Sequence, residues 1–173
     1  MIEGENEFMT DVLFYQNYTY VADISAIVLC IICWLLLHSS YTVREKSLII
    51  FKAGTVCLMM ATVCSISFHT AITRITESRK ILIYVLQDGI YLLLILTFVL
   101  LCNYFGTLLK LEERPARLLG AVSWGGYAVF AFLEIGSPFT HLGFYIDADL
   151  MVHQNFYFDP FRFAYIYYCI ILV

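Results

Sequence analysis

The sequence predicts an all-α polytopic transmembrane bundle of four spans plus a truncated fifth helix, and three observations predict it. Hydrophobic residues make up 61% of the chain and charged residues 14%, against roughly 25% charged in soluble domains, with a mean hydropathy of +0.81. Apolar runs cover Val21 to Leu37, Ala53 to Thr73, Ile81 to Leu109 and Leu118 to Ile135. Each approaches the roughly 20 helical residues needed to cross a hydrocarbon core of about 30 Å. Nearly all Lys and Arg fall between the runs, where water can reach them. A soluble helical core would need polar faces at helical spacing, and Ile24 to Leu37 and Tyr91 to Leu101 have almost none.

The first helix is expected over about 21–38, the second over 47–73, the third over 81–109 and the fourth over 115–135. A fifth run, 161–173, stops at Val173, too short to span as it stands. The chain therefore reads as one membrane-embedded domain cut off inside its last helix. Its lead, residues 1–20, carries Glu3, Glu5, Glu7 and Asp11 without any Lys or Arg, so it lacks the basic start of a signal peptide. With the N-terminus outside, Arg44, Lys46, Lys52, Lys110, Arg114 and Arg117 lie inside and Arg74, Arg79, Lys80 and Arg162 outside. That bias favours a multi-pass cell-membrane protein with its N-terminus out, although the basic residues between Arg74 and Lys80 sit on the less favoured side.

Local signals support these boundaries. Phe14, Tyr15, Tyr18 and Tyr20 precede the first helix, Tyr41 follows it, and Tyr104 and Phe105 close the third, as rings at the headgroup level do. Pro115 suits the first turn of the fourth helix, where its missing N–H costs nothing. Within that helix Ala121, Gly125 and Ala128 form a small-residue stripe on which another helix can pack. The outer segment, 136–160, is rich in turn formers and aromatics around Asp147 and Asp149. Gly143 to Ile146 and Asn155 to Phe158 are expected to pair there as a short β-hairpin leaning on helix ends.

Ionisable groups inside spanning segments are the best pointers to function in a membrane protein. Asp23, His69, Asp88 and Glu134 all fall toward the outer side, one on each of four helices. Asp88, beside Gln87 and Gly89, is the deepest, roughly 10 Å along its helix from Ile81. Together Asp23, His69, Gln87, Asp88 and Glu134 outline an outward polar cavity for a small extracellular ligand, capped by the outer segment. The plainer alternative leaves Asp23, His69 and Glu134 at the wet interface and Asp88 bonded to a Ser or Thr, Arg74 or Arg79.

Other chemistries find little support. His69, His141 and His153 are scattered and match no metal-ligand spacing. All six cysteines lie in apolar runs and read as buried hydrophobes, including the Cys30/Cys33 pair. Asn17-Tyr18-Thr19 fits a glycosylation sequon only as a short pattern. No phosphate-cradling loop or nucleophile elbow occurs, so no cofactor or catalytic residue is expected. A net charge of -4 with basic residues confined to loops argues against a nucleic-acid partner.

The order of features also carries a resemblance. The first helix ends in His38-Ser39-Ser40-Tyr41-Thr42, Val43-Arg44-Glu45-Lys46 leads into Ile49-Ile50-Phe51-Lys52, and the third helix holds Tyr84, Asp88, Tyr91 and Tyr104. In this the chain resembles the N-terminal membrane regions of bacterial sensor proteins, in which several helices precede a cytoplasmic GGDEF or EAL domain that makes or degrades cyclic di-GMP. Related layouts precede histidine kinases. The resemblance implies the input half of a signal transducer, acting as a homodimer through the full-length protein, with the fifth helix passing inward. No GGDEF or EAL signature residue falls within 1–173, so any diguanylate cyclase or phosphodiesterase activity would belong to a parent chain. A transporter or permease fragment is the rival reading, though its polar residues would sit near the midplane; an assembly protein without a ligand is a third.

Overall fold

A computed structural model describes residues 20–36, 46–73, 75–141, 144–147, 152–154 and 160–172. Helix α1 (Tyr20–Leu36) is followed by α2 (Lys46–Ile72), α3 (Lys80–Leu108), α4 (Glu113–Thr140), strands β1 (Phe144–Ile146) and β2 (Val152–Gln154), and α5 (Pro160–Leu172). A 3-10 turn, Glu77–Arg79, joins α2 to α3. Three helical stretches, α2, Glu77 through α3, and α4, are long and apolar enough to cross a membrane, while α1 and α5 are shorter. The acidic lead, the sequon at Asn17, the segment from Leu37 to Glu45, Arg74, Asp149 and the segment 155–159 lie outside the described residues.

These helices form because their sequences are apolar on every side and hold good helix formers, with proline confined to first and last turns. Much of that apolar surface finds no partner among the described residues: Phe132 is 79% exposed and Ile81 76%. In water so much contiguous apolar surface would drive association; in lipid it is the ordinary outer face of a spanning helix. The build is that of a membrane protein.

Helix α3 is the centre of the packing, with α2 and α4 on its flanks and α5 against both α3 and α4. Successive helices run antiparallel, and α1 lies along α2, where Lys52 Nζ sits 5.9 Å from the Trp34 ring. Helix α5 runs parallel to α3, as two stacked ring pairs show: Tyr91 on Phe161 at 4.9 Å and Phe98 on Tyr168 at 5.9 Å. Two apolar clusters result. Ile95, Val99, Cys102, Ala164 and Tyr168 bind α3 to α5, while Phe68, Ala71, Ile83, Phe144 and Ile146 bind α2 and α3 to β1.

The structure corrects three expectations. Helix α4 does not end at Ile135 but continues through Gly136, Ser137 and Pro138 to Thr140. Pro138 gives up its helical N–H and crowds the carbonyl one turn back, a cost offset in this last turn by Thr140 Oγ1 donating to Gly136 O at 3.0 Å and by Ser137 Oγ donating to Phe144 O of β1 at 3.2 Å. The hairpin exists, but Phe144, Tyr145 and Ile146 pair with Gln154, His153 and Val152 rather than with Asn155 to Phe158. The nearer partner leaves a shorter connection to close. Ala121, Gly125 and Ala128 are all exposed and receive none of the described helices; α5 instead packs where Ser123 and Gly126 are buried.

A polar layer beneath a docked hairpin

The end of the bundle that carries the hairpin is held together by side chains from α3 and α4. Lys80 Nζ, at the first position of α3, donates to Asp147 O at 3.0 Å. One turn further on, Tyr84 Oη accepts from the Ile146 N–H at 2.7 Å and donates to Ile146 O at 3.4 Å. Ser137 Oγ on α4 donates to Phe144 O at 3.2 Å. The Phe144 ring meets Phe68 of α2 and Tyr84 of α3 edge-on, at 5.7 and 5.8 Å. A free two-stranded hairpin is marginal in water; here three helices supply its apolar floor and its hydrogen bonds.

Beneath the hairpin the antiparallel packing brings polar groups to one depth. Ser65 Oγ of α2 donates to Asp23 Oδ2 of α1 at 2.8 Å. A methyl at Gly89 would lie 3.8 Å from Cys64 Sγ, and one at Gly54 3.8 Å from Leu100 Cβ. That register sets Asp88 level with Ser65. Across α3 and α4, a methyl at Gly106 would meet Leu119 at 3.1 Å and one at Gly120 would meet Asn103 at 3.7 Å. The same register carried along the pair sets Glu134 level with residues 89 to 91. Asp23, Ser65, Asp88 and Glu134 thus occupy a single layer, with Asp88 roughly 12 Å along α3 from Lys80.

The five sequence-predicted residues are treated differently. Asp23 is half-buried and bonded to Ser65. His69 is half-buried, with its ring against Tyr20 and Phe68, each at 5.7 Å. Gln87 and Glu134 are buried, at 6% and 3% exposure. Glu134 sits inside α4 because that helix runs on to Thr140, so it does not occupy the wet helix end that its sequence position suggested. Asp88 is half-buried, and among the described residues no side chain or N–H donates a hydrogen bond to it. Asp23 and Ser65 are brought into contact; Asp88 and Glu134 share their depth, Gln87 is the neighbour of Asp88 on α3, and His69 lies one turn nearer the hairpin.

Other described features delimit what this site can do. Among the described residues no three His, Cys, Asp or Glu groups come together as a metal set, and all six cysteines are free thiols. An apolar cleft of about 130 Å³ between α2 and α3, lined by residues such as Phe51, Thr55, Thr97 and Tyr104, lies toward the opposite end of the bundle.

Lys80, Tyr84, Ser65 and Ser137 are not among the site residues expected from the sequence. Tyr84 carried a signal, since it stands four residues before Asp88 and so on the same side of α3. Lys80 looked merely misplaced on the outer side, and its bond to Asp147 O supplies the reason it is there. No family model matches this chain, and neither a curated protein nor a solved structure matches it.

Proposed function

We propose that this chain is the membrane-embedded sensory region of a bacterial signal-transduction protein, with its N-terminus outside and α1 to α4 crossing the bilayer. In this reading α5 passes inward toward a cyclic di-GMP enzyme, and a small extracellular ligand acts at the polar layer beneath the hairpin. One observation carries it: the hairpin is tied to α3 and α4 by Lys80, Tyr84 and Ser137, and α5, which follows it in the chain, packs on those same two helices. A change at the cap is therefore coupled to α5 through shared neighbours. A ligand moves such a coupled unit only if it binds two helix arrangements with different affinity.

Asp88 is the group through which a ligand would act. A carboxylate inside a spanning helix is costly and is retained where it serves a pathway or a ligand, and this one accepts no hydrogen bond from the described residues. The test expresses the chain with its native downstream sequence and follows cellular cyclic di-GMP across growth conditions. Wild type should change the nucleotide level with conditions, and Asp88→Ala should insert normally but hold it constant. An unchanged response in Asp88→Ala removes the residue from the site; a level indifferent to expression of the protein refutes the cyclic di-GMP reading.

A further inference from the structure

At the end of the bundle opposite the hairpin, a cavity of about 290 Å³ lies at the turn between α3 and α4. Its lining is divided by chemistry. Asn103 and Thr107 from the end of α3 and Lys110 from the turn form a polar side, and Leu111 and Leu119 from the turn and α4 form an apolar side. Both helices are long and apolar enough to span, so the turn that joins them stands at the headgroup depth of one leaflet. A cavity with one polar and one apolar wall at that depth fits an amphiphile.

Counting donors and acceptors narrows the choice. Asn103 Nδ2 donates to Val99 O at 2.8 Å, which uses one of its two N–H groups. Thr107 Oγ1 donates to Asn103 O at 2.9 Å, so what it still offers is an acceptor. Lys110 brings an ammonium that no described group binds, on a backbone in the left-handed region at φ 49°. Glycine would take that conformation without strain, so the lysine stands where the backbone alone would favour its loss. Of the neighbouring charges, Arg117 is already held by Glu113 at 3.1 Å, while Arg114 and Glu112 are exposed. A cation and an amide N–H suit a phosphate; the hydroxyl oxygen suits a donor beside it.

We propose that this cavity binds the headgroup of an anionic phospholipid carrying a free hydroxyl, of which phosphatidylglycerol is the simplest. Its phosphate sits between Lys110 and Asn103, a glycerol hydroxyl donates to Thr107 Oγ1, and an acyl chain runs down over Leu111 and Leu119. Basic pockets between spanning helices bind acidic headgroups in this way. The site lies at the far end from the polar layer and does not depend on the signalling role.

The test uses the full chain purified in neutral detergent and titrated with phosphatidylglycerol, phosphatidylcholine, phosphatidic acid or soluble glycerol phosphate, with thermal unfolding and co-purifying lipid as readouts. Wild type should reach half-maximal stabilisation at about fivefold lower phosphatidylglycerol than phosphatidylcholine, the effect of one lysine at an anionic surface. Lys110→Gln should erase that preference. Thr107→Val should weaken phosphatidylglycerol while leaving phosphatidic acid unchanged, and Arg114→Gln should leave both as in wild type. Equal response to the two lipids in wild type, or a preference that survives Lys110→Gln, overturns the proposal. Equal stabilisation by glycerol phosphate also overturns it, since the ligand would then be a soluble phosphate.

Discussion

Gly126 marks the closest approach of α5 to α4, and what surrounds it shows how side-chain size decides packing when no water is expelled. A methyl there would overlap the Tyr167 ring. Because the ring fits, Tyr167 Oη donates to Val122 O at 2.8 Å and the fully buried Tyr168 donates to Ser123 O at 2.7 Å. Both carbonyls also lie within α4, and a carbonyl oxygen has a second lone pair for such a bond. Interhelical hydrogen bonds between spanning helices average only about 0.6 kcal/mol, whereas overpacking costs about 1–3 kcal/mol. Gly126→Ala should therefore destabilise the protein by about 1–3 kcal/mol and Tyr168→Phe by less than about 1 kcal/mol. Reversible unfolding in mixed micelles measures both. If the tyrosine change cost more, the hydroxyls rather than the close approach would hold α5.

At the scale of elements, the hairpin depends on helix side chains more than on its own two strands. The Ile146 N–H donates to Tyr84 Oη at 2.7 Å, and Ile146 is buried at 4% exposure. Tyr84→Phe should cost about 1–3 kcal/mol, the penalty for a buried donor left unmade. Hydrogen exchange at Ile146 should then speed up while the α2 and α3 amides stay protected. Equal loss of protection in all three would mean that the hairpin and the helices open as one unit.

The ease of reading these elements from sequence followed their physics. Helices α2 and α3 were legible to within a residue or so, because a bilayer demands long apolar runs. The end of α4 was not, since Gly136-Ser137-Pro138 has the local chemistry of a turn, and the bond from Ser137 to Phe144 O of β1 is a tertiary contact that the local sequence does not reveal. The partner strand lies three residues before the position its aromatic content suggests: Asn155 to Phe158 has the strand-like composition, but Val152 to Gln154 closes the shorter loop. The small-residue pattern of Ala121, Gly125 and Ala128 identified a possible close-packing face, but spacing alone could not choose it over the face bearing Ser123 and Gly126. The polar layer was half legible. The depth of Asp88 can be counted along its helix, but that of Glu134 depends on the extra turn of α4, and the bond from Ser65 to Asp23 needs the register between helices.

For the whole molecule, the two ends differ in a way that bears on orientation. At the hairpin end the basic side chain of Lys80 is occupied by a backbone carbonyl at 3.0 Å, so its presence there reflects docking. At the other end Lys110 and Arg114 are exposed, and Lys46 opens α2 with its side chain exposed as well. Basic residues near span ends are retained on the inner side, so discounting the docked Lys80 strengthens the inner bias of the turn between α3 and α4. Two single-cysteine variants test this, Glu77→Cys beside the hairpin end and Glu112→Cys at the opposite turn, each with the six native cysteines replaced. A membrane-impermeant maleimide added to intact cells should label the first and reach the second only after permeabilisation. The reverse pattern would place the polar layer and its hairpin on the inner face, where an extracellular ligand could not reach Asp88, and the proposed input would then have to come from within the cell.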